Sequence, residues 1–215
     1  LENKKLNPKN NAQLSLLLKA SILCNDSQIE RTGEDDDYKI LGNPTESSLL
    51  ILAAKANLFR EDLIFTREED IPFTSERKLM TVLCKERTTK FVYSKGAIEV
   101  LLSKCSHIQN NNKIIPLTEK EREKILKRNK ELTSQSYRVL ALAYKKTFSV
   151  DKSNLEKGLV FLGAVAIEDP ARPGVKEAIK LCVKAGIKVK MITGDSRETA
   201  LAIGKQINLA ACCFC

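Results

Sequence analysis

Two lysines, Lys78 and Lys95, each stand at one end of a run in which every second residue is apolar. Both lie within residues 71–99, a stretch predicted to form a strand hairpin that runs into a helix. Side chains alternate faces along a strand, so Lys78 and Lys95 are each predicted to share a face with apolar neighbours. Ammonium groups flanking an apolar surface, with Phe73 nearby in sequence, suit a flat anionic ligand such as a nucleotide. The alternative is that both lysines are strand-end charges whose aliphatic stems pack on the sheet. The apolar neighbours are Met80, Val82 and Cys84 for Lys78, and Phe91 and Tyr93 for Lys95.

A candidate carboxylate opens the helix that precedes this stretch. Residues 42–46 read GNPTE, and the apolar residues that follow predict a helix over 47–56. Asn43 is a natural N-cap, Pro44 suits the first helical position, and Glu46 completes a capping-box-like pattern. This local pattern favours a capping role for Glu46. A carboxylate in the first turn also stands near the exposed helix mouth, where it can serve a ligand.

A second candidate site is the loop 193–196, which reads TGDS. It follows a predicted strand over 187–192 and opens a predicted helix over 197–207. Open α/β sheets bind ligands at such loops, and the free N–H groups of the helix attract phosphate. The alternative is that Asp195 only caps the helix, with Glu198 three residues further on.

The elements that must position these residues follow from apolar periodicity and turn signals. We predict an α+β fold, an antiparallel sheet flanked by helices, followed by an incomplete α/β segment. The change falls at residues 168–174, where two prolines and a glycine mark a stiff joint. The other predicted elements are helices over 13–24, 96–105, 118–134 (opened by a Thr118–Glu121 capping box) and from 175 to Ala185-Gly186, strands within 63–95, 139–144 and 159–167, and a loop over 25–37.

Composition argues against several classes of function. The chain has 215 residues, 43% of them hydrophobic, with no apolar run near the about 20 residues that span a bilayer. Its net charge is +9, but the basic residues are scattered and match no nucleic-acid motif, so no nucleic-acid partner is expected. Seven cysteines without paired spacing favour a reducing compartment. The tail cysteines Cys212, Cys213 and Cys215 lie far in sequence from the single histidine, and no metal site is predicted.

Five motifs, in order along residues 41–208, resemble the P-type cation-transporting ATPases, most closely the type II, calcium-pump-like branch. Any one of them would be a weak signal, whereas the ordered set is far more specific. They are GNPTE at 42–46, similar to G-[DE]-[PA]-T-E; FTSERKLMTV at 73–82, similar to F-[ST]-S-x-R-K-x-M-[ST]-V; KGAIE at 95–99, similar to K-G-A-P-E; DPAR at 169–172, similar to D-P-x-R; and MITGD at 191–195, similar to M-[IVL]-T-G-D.

The resemblance implies a nucleotide-binding domain over 1–167, a hinge over 168–174 and part of a haloacid-dehalogenase-like phosphorylation domain over 175–215. It implies ATP and Mg²⁺ as ligands, with the Mg²⁺ ligands mostly outside these residues. The start of the chain resembles neither a signal peptide nor an initiator methionine, so we expect an excised, soluble piece from the cytoplasmic side of a membrane protein. Its partners would be the phosphorylation, actuator and membrane domains of the same parent. That parent would couple ATP hydrolysis to cation transport, and the resemblance favours calcium as the ion.

The resemblance also implies roles for single residues. Phe73 would stack on adenine, Glu46 would contact the adenine edge, and Lys95 would lie deepest in the pocket that Lys78 also lines. The others are Ser75, Met80 and Gly96 in the pocket wall, Arg138 near the phosphates or ribose, Thr193, Gly194 and Asp195 as catalytic residues near the transferred phosphate, and Asp169 and Arg172 in the hinge.

The sequence departs from the family pattern at Ile98, where the family has proline, and at Asn43, where it has an acidic residue. Neither change removes a ligand group. Ser75 stands where calcium pumps often carry arginine. The family's D-K-T-G-T, with the aspartate that becomes phosphorylated, occurs nowhere in the 215 residues, so we expect ATP binding without hydrolysis.

Two other function classes remain open. A haloacid-dehalogenase-like phosphatase would fit the loop 193–196, but its D-x-D-x-[TV] nucleophile motif is absent and residues 73–95 would be unexplained. A non-enzymatic basic binding module would bind RNA or acidic protein with strong salt dependence and no preference for ATP. No P-loop motif is present.

Overall fold

The structure is a computed structural model that describes residues 8, 11–31, 38–148, 150–168, 172, 174–193 and 197–209. The chain divides into two compact units. The first comprises Leu1–Leu126 with Leu140–Val165, and the second comprises Lys127–Val139 with Ala166–Cys215. The assignment of a nucleotide-binding domain, a hinge and a partial phosphorylation domain to numbered segments stays a prediction.

Nine strands are described. They are β1 (Gln28–Arg31), β2 (Tyr38–Leu41), β3 (Thr66–Ile71), β4 (Leu79–Glu86), β5 (Thr89–Gly96), β6 (Cys105–Asn110), β7 (Lys113–Pro116), β8 (Arg138–Thr147) and β9 (Leu159–Ile167). Strands β1 and β2 form an antiparallel ribbon, and the other seven form one sheet in the order β3-β4-β5-β8-β9-β6-β7. Antiparallel pairing joins β1–β2, β3–β4, β4–β5, β5–β8 and β6–β7, whereas β6 and β9 pair in parallel. The mixture of helices with a mostly antiparallel sheet confirms the predicted α+β class.

Six of the seven described α-helices agree closely with the apolar patterns that predicted them, and the short α5 was not predicted. They are α1 (Ala12–Leu23), α2 (Pro44–Ala54), α3 (Ile98–Lys104), α4 (Glu119–Thr133), α5 (Lys152–Leu155), α6 (Val175–Lys184) and α7 (Arg197–Gln206). Among the described residues, no helix is both long and apolar enough to cross a bilayer.

Helix α1 packs on one face of the large sheet and forms the main core with it. Its first turn is capped by Asn11, whose side chain accepts a hydrogen bond from Leu14 N at 2.9 Å. Its last turn is held by Arg60, which donates to Ile22 O at 3.1 Å and Asn25 O at 2.6 Å. Full burial of a large apolar side chain contributes about 1.5–3 kcal/mol, so this layer is a major source of stability. The buried cluster is Leu17, Ala20, Leu23, Cys24, Met80, Val82, Cys84, Tyr93, Leu142 and Leu162.

The β4–β5 hairpin is present as predicted. Its register runs from Leu79 opposite Gly96 to Glu86 opposite Thr89, with a two-residue turn between the strands. The predicted position of Lys78 was wrong, however. Lys78 lies just before β4 with φ +52°, in the left-handed region, so the alternation of strand faces does not extend to it.

Two further predictions were wrong. The predicted loop over 25–37 contains β1, which pairs with β2. The predicted strand over 187–192 is irregular, and no described residue pairs with it. A strand needs a neighbour for its N–H and C=O groups, and in this segment Ile187 and Ile192 are exposed.

The second unit includes α6 and α7. Helix α6 ends in a Schellman motif, in which Gly186 at φ +76° donates to Val183 O at 3.0 Å and Ile187 N donates to Cys182 O at 2.9 Å. The predicted helix stop at Ala185-Gly186 is therefore confirmed.

Candidate functional site

A buried ion pair joins the first turn of α2 to the end of β5. The Nζ atom of Lys95 donates to Oε1 of Glu46, and only 5% of the Lys95 side chain and 19% of the Glu46 side chain are exposed. The other carboxylate oxygen of Glu46 accepts a hydrogen bond from Ser27 Oγ at 3.4 Å. The capping role that the local pattern favoured for Glu46 was wrong, because its carboxylate is used for these long-range contacts.

The backbone around α2 brings Glu46 to this position. Asn43 caps the helix by accepting from Thr45 N at 2.9 Å, as predicted. Gly42 has φ +130°, and a Cβ there would lie 2.2 Å from Ser27 Oγ. Only glycine allows the chain to pass Ser27 this closely.

A buried asparagine ties α1 to the start of α2. Asn25 Nδ2 donates to Glu46 O at 2.9 Å and to Ser21 O at 3.1 Å, while its side-chain oxygen accepts from Ser27 N at 2.9 Å. Of the four residues in this network, Ser21, Asn25 and Ser27 are fully buried or nearly so, and Glu46 is the exception. Sequence reasoning missed Asn25 and Ser27, since both fall in a stretch that reads as an ordinary polar loop.

The loop of residues 72–78, the Phe73 loop, joins β3 to β4 beside the same sheet end. Phe73 is 55% exposed, which leaves its ring accessible. The loop is closed internally, because Arg77 Nη1 donates to Pro72 O at 2.9 Å and Lys78 N donates to Thr74 O at 2.8 Å. Ser75 and Lys78 are also exposed.

The end of the Phe73 loop contacts the end of β5. Ala97 N donates to Lys78 O at 3.0 Å, and a Cβ on Gly96 would lie 2.2 Å from that same carbonyl oxygen. Gly96 thus permits the loop to approach the strand that carries Lys95. Met80, the register partner of Lys95, is buried in the core and supports the site from within.

Burial also determines the chemistry of the thiol behind the ion pair. Cys24 Sγ lies 3.6 Å from Met80 O, and burial raises the pKa of the Cys24 thiol to about 12, with the Lys95 ammonium acting in the opposite direction. The thiol is therefore protonated at neutral pH, and it is not a nucleophile. The arrangement of exposed ring, exposed lysine and buried ion pair is suited to binding rather than to bond cleavage.

The predicted site residues fall into three groups. The first group centres on Glu46 and Lys95, which are in direct contact. It also includes the residues of the adjoining loop and strand ends, which are Phe73, Ser75, Lys78, Met80 and Gly96. Arg138, Arg172 and Thr193 are exposed residues of the second unit. Asp169, Gly194 and Asp195 lie outside the described residues.

Residues 13–174 match the protein family described as P-type ATPase, cytoplasmic domain N. The chain belongs to this family. Glu46, the Phe73 loop, Lys95 and Arg138 all lie within the matched part of this N domain, whereas Thr193 lies beyond it.

Three relatives that the chain matches are named as calcium-transporting or cation-transporting ATPases. The chain is 38% identical to calcium-transporting ATPase 1 of Bacillus cereus over 98% of its own length and 23% of the relative's. It is 38% identical to human calcium-transporting ATPase type 2C member 2 over 93% of its length and 20% of the relative's. It is 39% identical to cation-transporting ATPase pma1 of Synechocystis over 90% of its length and 22% of the relative's. The chain thus spans 20–23% of the length of these relatives.

Proposed function

We propose that this N domain is the ATP-binding cytosolic portion of a type II P-type ATPase that couples ATP hydrolysis to the transport of a cation, calcium being the best-supported ion. The observation that carries the proposal is the buried Glu46–Lys95 pair at the end of β5 that the Phe73 loop, with its exposed ring, contacts through Lys78. Family membership and the names of the calcium-transporting relatives support it.

The geometry supports a division of roles within the site. The ring of Phe73 stacks on the adenine face, since an exposed aromatic ring gains contact area and stacking energy there. The Glu46 carboxylate accepts from the adenine amino group, and Lys95 fixes the position of that carboxylate. Lys78, which is exposed, and Arg138 are proposed to approach the phosphates.

The aspartate that accepts the phosphoryl group is proposed to lie in the parent, outside the 215 residues. Phosphoryl transfer depends mainly on positioning and on charge stabilisation, and Mg²⁺ arriving with ATP would neutralise phosphate charge. Asp169 and Arg172 are proposed as hinge residues, and Thr193, Gly194 and Asp195 as residues near the transferred phosphate. The chain's own contribution is to hold the nucleotide.

Substitution at the two central residues tests the proposal. ATP titrated into the 215-residue chain should bind with sub-millimolar to millimolar affinity, worth about 4 kcal/mol or somewhat more. Phe73→Ala and Lys95→Ala should each weaken binding by about 1 kcal/mol or more, or roughly fivefold, because stacking or the support of Glu46 is lost. Isothermal titration calorimetry on variants verified as folded measures both effects.

Matched controls lie at the other end of the same sheet. Phe148 is a 91% exposed ring next to Thr147, which is the register partner of Lys90, and Lys90 is ion-paired with Glu68 at 2.6 Å. Phe148→Ala and Lys90→Ala should retain the wild-type affinity. Wild-type affinity in both Phe73→Ala and Lys95→Ala would overturn the proposed site, and tighter binding of RNA than of ATP would favour a basic binding module.

A further inference from the structure

An ion pair made by Arg77, the next-to-last residue of the Phe73 loop, anchors that loop to a distant segment. Arg77 Nη2 donates to Oε1 of Glu156, 79 residues further along the chain. The Glu156 side chain is 18% exposed and the Arg77 side chain 33%. None of the motifs that indicate a nucleotide site includes Glu156.

Glu156 is itself held by the centre of the sheet. Its Oε1 atom also accepts a hydrogen bond from Thr81 Oγ1 at 2.8 Å, and Thr81 Oγ1 lies 2.9 Å from Ser94 Oγ. Thr81 and Ser94 are register partners in β4 and β5 and are fully buried. The carboxylate is therefore fixed relative to the strands that end at Gly96 and begin next to Lys78.

Arg77 transmits this fixed position to the loop. While one terminal nitrogen of its guanidinium contacts Glu156, the other donates to Pro72 O at 2.9 Å, and its backbone N donates to Thr74 Oγ1 at 3.2 Å. A planar guanidinium that is oriented by a carboxylate loses little further freedom when it makes the second contact. The backbone on both sides of Phe73 is thereby held.

We propose that Glu156 is a positioning residue for the nucleotide site, acting through Arg77 to hold the Phe73 loop so that the Phe73 ring is presented to the base. The inference rests on the proposed function. A ring on an ordered loop binds a base without the cost of ordering that loop on binding. Glu156 thus contributes to affinity for the base without touching the ligand.

The test separates base binding from phosphate binding. Affinities of adenosine, ATP and tripolyphosphate are measured for the unmodified 215-residue chain, Glu156→Ala, Phe73→Ala and the double variant. Glu156→Ala should weaken adenosine and ATP by the same factor, about three- to tenfold, the range expected from ordering one to two side chains. Tripolyphosphate affinity should be unchanged, and Glu156→Ala should cause no further loss when Phe73 is already alanine.

Controls distinguish positioning from general destabilisation. Glu68→Ala breaks an ion pair of similar exposure (24% for the Glu68 side chain) at the other end of the sheet, and it should leave all three affinities unchanged. Arg77→Ala should reproduce the Glu156→Ala pattern, and Arg77→Lys should restore affinity only in part. If Glu156→Ala does not fold, Glu156→Gln, which keeps an oxygen acceptor for Thr81, takes its place and should give a smaller loss of the same kind.

Failure of the inference and failure of the proposed function give different results. Unchanged adenosine affinity in Glu156→Ala, an equal loss for tripolyphosphate, or a full additional loss in the Phe73→Ala background would overturn the role of Glu156 alone. Absence of ATP binding by the unmodified chain would overturn the proposed function, and this inference with it.

Discussion

The first turns of α2 and α4 begin with the same pattern of residues but use their glutamates differently. Glu121 closes a capping box, accepting from Thr118 N at 3.0 Å while Glu121 N donates to Thr118 Oγ1 at 3.3 Å. Glu46 instead contacts Lys95, which lies 49 residues away in sequence. A buried ammonium nearby outweighs a local backbone N–H as a partner, since an unpaired buried charge costs several kcal/mol.

Breaking the ion pair between Glu46 and Lys95 should lower the free energy of unfolding substantially. Lys95→Met removes the ammonium and leaves the largely buried Glu46 carboxylate without it, so the free energy of unfolding should fall by about 2–4 kcal/mol. Urea denaturation measures the loss. The double variant Lys95→Met/Glu46→Gln should recover part of it, because the unpaired charge is gone.

The control for this prediction is Lys90→Met. Its ion pair with Glu68 is more exposed on the lysine side, at 29%, and such pairs contribute about 1 kcal/mol or less. A Lys95→Met variant as stable as Lys90→Met would contradict the buried-pair account.

At the scale of elements, sequence patterns located the helices well but not the ends of β4. The strand β9 has the predicted bounds, because an unbroken apolar run between turn signals is a strong signal. Lys78 was misplaced because its positive φ depends on the hydrogen bond from Ala97 N, a tertiary contact that no local pattern contains. Likewise β1 depends on pairing with β2, and the anchoring of Arg77 depends on the distant Glu156.

Gly96→Ala tests the close approach of the Phe73 loop to β5. The added Cβ would meet Lys78 O, a backbone atom that cannot move away without shifting the loop. We expect the unfolding free energy to fall by about 2 kcal/mol or more and ATP affinity to fall with it.

The matched control is Gly158→Ala, where the nearest atom, Ser106 Oγ, lies 3.7 Å from the new Cβ and only the φ of +66° is unfavourable. It should cost about 1–2 kcal/mol and leave ATP affinity unchanged. An equal loss of ATP affinity in both variants would contradict the account of Gly96.

The buried thiols between α1 and the sheet should make the free energy of unfolding depend on pH in the alkaline range. Burial raises the pKa of the thiols of Cys24 and Cys84 to about 12, from 9.0. Between about pH 9 and pH 12 the unfolded chain releases protons that the folded chain retains, so the free energy of unfolding falls as the pH rises. Burial and the hydrogen bond to Glu86 raise the pKa of Tyr93 and act in the same direction.

Urea denaturation at a series of pH values checks this prediction. Cys24→Ala and Cys84→Ala should each reduce the slope of stability against pH in that range. A slope in both variants equal to that of the unmodified chain would contradict the role of the buried thiols.

At the scale of the whole molecule, the ordered motifs predicted the family correctly, and residues 13–174 carry the match. Two of the motifs, at 42–46 and 95–99, each combine a glycine that a Cβ would not fit, Gly42 or Gly96, with one partner of the Glu46–Lys95 ion pair. The sequence does not predict which cation the proposed transport function would carry, since ion ligands are expected on membrane helices of the parent. The domain bounds and the hinge at Asp169 and Arg172 stay predictions.

The 215-residue chain should release negligible phosphate from ATP. The D-K-T-G-T motif does not occur in the 215 residues, so we expect the chain to lack the aspartate that accepts the phosphoryl group. A phosphate-release assay with Mg²⁺ and ATP checks this expectation. Steady phosphate release that copurifies with the chain would contradict the prediction that the chain binds ATP without hydrolysing it.

The central claim, that the end of β5 and the Phe73 loop form a nucleotide site, is tested most directly by mapping backbone amide shifts during an ATP titration. We predict shifts that saturate together and cluster at Glu46, Phe73, Lys78 and Lys95, with Arg138 also affected, while a parallel RNA titration leaves these amides unmoved. Saturable ATP shifts confined to other residues, or no shift at these amides at millimolar ATP, would contradict it.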